Sequence, residues 1–161
     1  MATPTNLPAS FTTGAVLTAA EQNALRGAFR ILQVVTGTYA TPVNSTNTTF
    51  VDSGLTATIT PQSATSKIFV AVNETFYASI AGLSSAVRLV RAGTTIQEQI
   101  DSSYNAGSAA VGNASFLYLD SPASTSALIY KTMFNNRSAA GVVTAQINNN
   151  PANITLFEIS A

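Results

Sequence analysis

From Ile31 to the C-terminus the sequence is a succession of short β-type runs separated by turn residues. This alternation of runs and turns is the feature of the sequence that most constrains the fold. Thr, Val, Ile and Phe dominate the runs and favour strands, while Gly, Pro, Asn and Ser between them favour turns. The runs are ILQVVTGTY, TTFVD, GLTATITP, SKIFVAVNETFYAS, AVRLV, TTIQEQI, NASFLYLD, SALIYKTMF, VVTAQI and ITLFEIS. About ten short strands at this spacing predict an all-β fold, an antiparallel β-sandwich or jelly roll, rather than alternating β–α units.

The residues before Ile31 do not share this pattern. Residues 1–17 contain two prolines and apolar residues without strand or helix period, so we predict an extended arm. Residues 18–30 are predicted to form one short helix, because Thr18 and Glu21 have the spacing of a capping box. Residues 31–161 then form the sandwich domain. The apolar side chains of the arm are expected to pack either on their own domain or on a neighbouring protein, and they are Leu7, Phe11, Val16 and Leu17.

The chain carries few charges. Seven basic and seven acidic residues give a formal net charge of zero, and charged residues are 9% of the 161, against roughly 25% in soluble domains. Without clustered Lys and Arg no nucleic-acid partner is expected, and no apolar run approaches the ~20 residues that cross a bilayer, so no membrane insertion is expected. So few charges give little protection against self-association, which suits a protein that is held in an assembly.

Cysteine and histidine are both absent. Their absence excludes disulfides, thiolate nucleophiles, Cys/His zinc sites and Ser–His or Cys–His dyads. No phosphate-binding loop or nucleophile elbow occurs, and the spacing of the seven carboxylates does not by itself pair two of them for glycosidase chemistry. We therefore predict a protein that is not an enzyme and has no cofactor and no metal site, with a carbohydrate-active enzyme as a distant alternative.

Several predicted strands have apolar residues on both faces, whereas a strand with one face in water should alternate. In the run that begins SFLYLD, Phe116 and Tyr118 share one face and Leu117 and Leu119 share the other. A second apolar face of this size is an interaction site unless the chain itself covers it. The arm and helix are too short to cover it fully, so we predict a symmetric homo-oligomer. The side chains predicted to meet their copies around the axis are Phe116, Tyr118, Phe157 and Ile159.

Two loops, DSSYNAGSAAVGN and NNRSAAG, are separated by two predicted strands and should therefore lie at the same end of an antiparallel sandwich. An exposed tyrosine can stack on a sugar, and amide and guanidinium groups can hydrogen-bond its hydroxyls. Ordinary solvated loops are the alternative. The rim predicted to bind a neutral glycan consists of Tyr104, Asn105, Asn135, Asn136 and Arg137.

From Ile31 onward the chain resembles the trimeric jelly-roll heads of the complement- and tumour-necrosis-factor-like class, as found in bacteriophage fibre and virion-surface proteins. The resembling segments are ILQVVTGTY, SGLTATITPQSATSKIFVAV, RLVRAGTTI, FLYLDSPASTSALIY and ITLFEIS. The N-terminal PTNLPASFTTGAVLTAAEQNAL resembles the leader of many phage tail-associated proteins.

This resemblance implies a homotrimer in the virion, assembled in the cytoplasm of the host bacterium. Two roles follow from it. The trimer is either a tail-associated fibre or tip component that faces the host, with a rim able to bind host-surface glycan, or a capsid decoration protein that needs no such rim. In both roles the arm binds other virion proteins of the tail or the capsid.

Overall fold

The computed structural model describes residues 31–138 and 140–160, together with the isolated positions 14, 16, 18 and 19. The described residues form ten strands and one 3₁₀ turn, Ile147–Asn149. The strands are β1 (Ile31–Tyr39), β2 (Val43–Ser45), β3 (Val51–Ile59), β4 (Lys67–Ala78), β5 (Ser85–Arg91), β6 (Thr94–Ile100), β7 (Ala110–Asp120), β8 (Leu128–Asn136), β9 (Val143–Ala145) and β10 (Ala152–Ile159). Apart from the four isolated positions, the predicted arm and helix lie outside the described residues.

The strands pair in a nested antiparallel pattern, in which the first strand pairs with the last, the second with the second-last, and so on to the centre of the chain. The nested pairs are β1–β10, β2–β9, β3–β8, β4–β7 and β5–β6. The innermost turn is formed by Ala92 and Gly93, whose φ angles of 46° and 86° are both positive, as a type I′ hairpin turn requires. This nesting is the jelly-roll topology, and it confirms the predicted all-β sandwich of about ten strands.

The nested pairs separate into two sheets that pack face to face. In sheet A, β1 pairs with β10, β10 with β4, and β4 with β7, while the short β9 pairs with both β4 and β2. Sheet B has the order β3–β8–β5–β6. Between them lies one apolar core, whose larger buried members include Leu55, Ile59, Ile68, Phe76, Leu89, Phe116, Tyr130, Phe134, Ile154 and Leu156. Because side chains alternate along a strand, each sheet also has a second, outer face.

The strand boundaries differ from the prediction in two places. Ser53-Gly54, which the sequence suggests as a turn, lies inside β3, so that TTFVD and GLTATITP belong to one element. Gly54 has a φ of 88°, and a Cβ there would lie 2.4 Å from the ring of Tyr39, so this position needs glycine. The second difference is β2, a strand of three residues that is not among the predicted runs.

The two open sides of the sandwich are closed differently. On one side β1 and β3 approach so closely that a Cβ on Gly37 would lie 1.9 Å from the carbonyl oxygen of Thr56. On the other side Gln99 of β6 reaches the unpaired edge of β7. Its Nε2 donates to the carbonyl of Asn113 at 3.4 Å, and its Oε1 accepts from the N–H of Ser115 at 3.3 Å. A side-chain amide therefore takes the place of a neighbouring strand at this point.

A buried polar cluster also fastens the sheets together. Asp120 of sheet A accepts hydrogen bonds from Arg91 of sheet B at 2.6 and 2.5 Å and from the hydroxyl of Tyr130 at 2.7 Å. Burial and the adjacent carboxylate raise the pKa of Tyr130 above its usual range. Each polar group is satisfied by its neighbours, as buried polar groups must be, so we assign this cluster a structural role.

Candidate functional site: the outer face of sheet A

The outer face of sheet A carries large apolar side chains outside the core. Phe69 and Phe157 are register partners on β4 and β10, with ring centroids 6.0 Å apart. Leu117 and Leu119 of β7 continue the surface and are 71% and 56% exposed. We use the name apolar face for a set of outward apolar side chains near the Lys67 end of β4. Its members are Val34, Phe69, Leu117, Leu119, Phe157 and Ile159.

Strand register arranges these side chains in rows across the sheet. The first row contains Val34, Phe157, Phe69 and Leu119, which are partners on four adjacent strands. The next contains Thr36, Thr155, Ala71 and Leu117, and the third contains Thr38, Asn153, Asn73 and Ser115. The outer face thus changes from apolar to hydroxyl and amide along the strand direction.

The polar rows are themselves ordered by hydrogen bonds. Asn113 donates through Nδ2 to Oδ1 of Asn73 at 2.5 Å and to Oγ of Ser115 at 3.0 Å. A shallow depression of about 350 Å³ lies where the apolar and polar rows meet, lined by Ala71, Val72, Asn73, Ser115, Leu117, Asn153 and Thr155. The surface therefore offers an uncharged partner both apolar contacts and fixed amide groups.

Charge is almost missing from this face. Among the described residues of the sheet A strands, Lys67 is the one charged side chain that points outward, and its Nζ donates to Oγ of Ser121 at 2.7 Å. The three carboxylates of the same strands are buried, and they are Glu74, Asp120 and Glu158. Burial pushes the pKa of Glu158 upward, but hydrogen bonds from Gln33 and from the N–H of Gln62 outweigh it, so the pKa is lowered.

The structure divides the four side chains that were predicted to meet at an oligomer axis. Phe157 and Ile159 lie on the apolar face. Phe116 is 1% exposed and belongs to the core, and Tyr118 is partly buried against the same core. The prediction is therefore wrong for Phe116 and Tyr118. The two faces of β7 were separated correctly, but the aromatic side faces the core and the leucine side faces outward.

The two end loops come together as predicted. Arg137 lies 2.6 Å from Asp101 through Nη1 and Oδ1, which joins the loop after β8 to the loop before β7. Tyr104 is 55% exposed. The side chain of Asn105 accepts from the N–H of Gly107 at 2.9 Å. Tyr104, Asn105 and Arg137 thus lie in the two loops that this ion pair connects.

Asn135 and Asn136 do not belong to an open rim. They are 8% and 0% exposed. Asn135 donates to the carbonyl of Thr48 at 2.7 Å, and Asn136 donates to the carbonyl of Ala140 at 3.1 Å. The predicted glycan-binding role is therefore wrong for both asparagines, because their amides are used to hold the loops.

The arm residues are almost entirely outside the described part of the chain. Val16 is described and is 89% exposed, whereas Leu7, Phe11 and Leu17 are not described. The anchoring role of the arm stays a prediction. No helix among the described residues is long and apolar enough to cross a membrane. Those residues also contain no group of three or more carboxylates that could hold a metal ion.

No protein-family model matches the sequence, and no curated protein matches it. Among solved structures, the chain is similar to that of infectious bursal disease virus Gx strain, with 12% identity and a TM-score of 0.44 over 80% of this chain. It is also similar to the VP2 subviral particle of infectious bursal disease virus, with 13% identity and a TM-score of 0.40 over 79% of this chain. The match spans 37% of the length of the first and 39% of the second.

Proposed function

We propose that this chain is a virion structural protein that assembles as a homotrimer through the apolar face of sheet A. The observation that carries the proposal is the exposure of this face, which includes Leu117 at 71% and Leu119 at 56%. Burying an exposed leucine side chain stabilises a contact by about 1.5–3 kcal/mol. Several such side chains on each subunit are enough to hold three subunits together. The resembling segments support the choice of three.

The order of the rows favours a second copy of the chain as the partner. In a rotational assembly with its axis along the strands, each row meets its own copies. Apolar rows then pack on apolar rows, and amide rows meet amide rows, which can hydrogen-bond to one another. A nucleic-acid partner would need clustered basic side chains, whereas Lys67 is the one basic side chain among the described residues on the outer face of sheet A.

We further propose that the virion is that of a bacteriophage. In this proposal the trimer is a tail-associated fibre or tip component, and residues 1–17 bind other virion proteins. A capsid decoration protein is the alternative. The support for both is the resemblance of the strand-and-turn segments and of the N-terminal segment to phage proteins. The protein is then assembled in the host bacterial cytoplasm and acts without enzymatic chemistry.

The exposed end loops support an additional role in binding host-surface glycan. Tyr104 presents its ring to solvent beside the loop that Arg137 holds. An exposed tyrosine is suited to stacking on a sugar ring. A glycan array probed with the wild-type protein and with Tyr104→Ala tests this role. Sugar binding that Tyr104→Ala leaves unchanged would show that this rim is not the site.

The mass of the protein in solution tests the assembly. Light scattering at micromolar concentration should give three times the chain mass of 16.6 kDa. A mass equal to that of one chain would overturn the trimer. Electron microscopy of intact virions labelled with a tagged antibody then locates the protein, because label on the tail supports the fibre or tip role and label on the shell supports decoration.

The same virions test the arm. Protein lacking residues 1–17 should keep its mass in solution but should be missing from purified virions, because the predicted anchor has been removed. Normal incorporation of the shortened protein would refute the anchoring role. A lost trimer would show instead that the arm packs on the domain itself.

A further inference from the structure

Of the three buried carboxyl groups on the sheet A strands, Glu74 and Glu158 have no cationic partner among the described residues, and Glu74 is the one with an oxygen that lacks a hydrogen-bond partner. Glu74 of β4 is 1% exposed and points between the sheets. Gln146, which follows β9 and is 0% exposed, donates to Oε1 of Glu74 through its Nε2. Burial raises the pKa of Glu74, and the hydroxyls of Thr132 and Ser53 with the amide of Gln146 oppose part of that rise.

Sheet B faces this carboxyl with a pair of hydroxyls. Ser53 of β3 and Thr132 of β8 lie 2.6 Å apart through their side-chain oxygens, and both are buried. Among the described residues Oε2 of Glu74 has no hydrogen-bond partner, and neither does Oε1 of Gln146. An ionised carboxylate would leave a negative oxygen poorly solvated in the interior, which is costly. A proton on Oε2 removes the charge and supplies a donor for a hydroxyl oxygen.

The negative charge of a residue on the facing sheet also opposes the ionisation of Glu74. Asp52 of β3 has the same sign and raises the pKa of Glu74 further. Asp52 itself pairs with Lys131 on the outside of sheet B. The side chains from β3, β8 and the segment after β9 that act on the Glu74 carboxyl are hydroxyls and an amide with no charge of their own.

The carboxyl sits where the strand beside β4 is interrupted. The segment from Gln146 to Pro151, which we call the β9–β10 junction, carries Gln146, Asn148 and Asn149 with φ angles of 53°, 58° and 58°. These are left-handed conformations, which cost energy outside glycine. The N–H of Gln146 donates to the carbonyl of Thr75 at 2.9 Å. The junction is thus held to β4 by this backbone bond and by the side-chain bond to Glu74.

We propose that Glu74 is kept as a neutral acid between the sheets, and that the β9–β10 junction, which is bonded to the same carboxyl, is the part of the fold that loosens when the carboxyl ionises. The neutral carboxyl accepts from Gln146 on one oxygen and donates to the hydroxyl pair from the other. Ionisation removes that donor and adds a negative charge that Asp52 repels. The least costly response is for the junction to open and admit water, since it already holds strained residues.

The direction of the pH dependence follows from the raised pKa. Below the ordinary value of 4.5, Glu74 is protonated in both folded and unfolded chains and has no effect on stability. As the pH rises above it, the unfolded chain loses the proton first, so the folded state is progressively destabilised until the folded pKa is passed. Glu158 has a lowered pKa and acts in the opposite direction, because its contribution is present above 4.5 and is lost as the pH falls through its folded pKa.

Thermal unfolding of the full chain at pH 4 to 9, at one protein concentration, tests the proposal with Glu74→Gln. The glutamine keeps an acceptor for Gln146 and cannot ionise. The wild-type Tm should fall relative to that of Glu74→Gln as the pH rises across this range, because each kcal/mol of lost stability lowers the Tm of a domain of this length by about 2–4 °C. Glu98→Gln, which removes an exposed carboxyl paired with Arg88, is the matched control and should follow the wild-type profile.

Two measurements localise the effect, and the first of them uses the wild-type protein and so does not depend on a variant folding. Infrared spectra of the wild-type protein, recorded upward from pH 4.5, should retain the carbonyl band of a protonated carboxylic acid. Backbone amides of residues 146–150 should exchange faster in the wild type than in Glu74→Gln at a pH where this band has disappeared, and equally at pH 4. Absence of the acid band, or parallel Tm profiles of the wild type and Glu74→Gln, would overturn the proposal.

Discussion

The two outer faces of the sandwich differ in how they use the few charges of the chain. On sheet B, Arg88 lies 2.6 Å from Glu98 and 3.6 Å above the ring of Phe50, and Lys131 pairs with Asp52. On sheet A the outward surface is apolar at one end and amide-rich at the other, with Lys67 as its charged residue. The low charge content is therefore not spread evenly. One sheet carries charge pairs suited to water, and the other has the composition of a contact surface.

Charging the apolar face should produce the largest effect. Leu119→Asp places a carboxylate in the proposed contact, and an unpaired charge there costs at least about 2 kcal/mol per subunit. Leu119 is 56% exposed in the single chain, so the fold itself should survive. We expect light scattering to show dissociation to single chains and circular dichroism to show an unchanged β spectrum.

A matched control lies on the opposite sheet. Ile129 of β8 is 50% exposed on the outside of sheet B, so Ile129→Asp makes the same chemical change on a similarly exposed strand residue. This variant should keep the mass of the wild type. Equal masses for the two variants would contradict the assignment of the contact to sheet A.

Removing a charge pair from sheet B should have a moderate effect on stability. Arg88→Ala deletes both the ion pair with Glu98 and the contact with Phe50, which together contribute about 1 kcal/mol for a partly exposed group. Urea unfolding should show that loss, and the mass should not change. Glu98→Gln should lose less, because the cation remains over the ring. A lowered mass for Arg88→Ala would show that sheet B takes part in assembly.

A high salt concentration should have the smallest effect on stability, and it should act on the ion pairs of sheet B. At 1 M NaCl the screening length is about 3 Å, which weakens exposed ion pairs and leaves apolar contacts intact. Stability should fall by less than about 1 kcal/mol relative to low salt, while the mass stays that of the assembly. Dissociation in high salt would mean that ion pairs, rather than the apolar face, hold the subunits.

The strands could be predicted from the sequence because their signals are local. β-branched residues and turn residues mark nearly every element, and the Ala92-Gly93 turn lies where the chain folds back. The three residues of β2 are too few to carry a pattern. Ser53-Gly54 resembles a turn because glycine also serves at an irregular point within a strand, and the need for it comes from Tyr39, which is distant in sequence.

The candidate site could be predicted only in part. Alternation separates the two faces of β7 but cannot say which of them faces the core, since both are apolar. Aromatic residues were assigned to the contact, yet Phe116 packs between the sheets and Leu117 lies outside. The choice depends on how the sheets stack, which is a long-range property. The sequence misplaces Asn135 for a similar reason, because the carbonyl group that it binds, that of Thr48, is distant along the chain. Asn136 instead binds the carbonyl of Ala140 within its own loop, and the composition of a loop does not show which of its amides turn inward.

Gln99 has a consequence for the kind of assembly that this chain can build. A bare strand edge is a template on which further chains add without limit, and many proteins protect it with charged side chains. This chain has few charged residues. Its edge strand β7 is instead hydrogen-bonded by the side-chain amide of Gln99, at Asn113 and Ser115. Growth along the hydrogen-bonding direction is obstructed there. In the proposed homotrimer, association through the outer face of sheet A closes on itself after three subunits, and the bonds of Gln99 to β7 favour such a closed particle over an open-ended polymer.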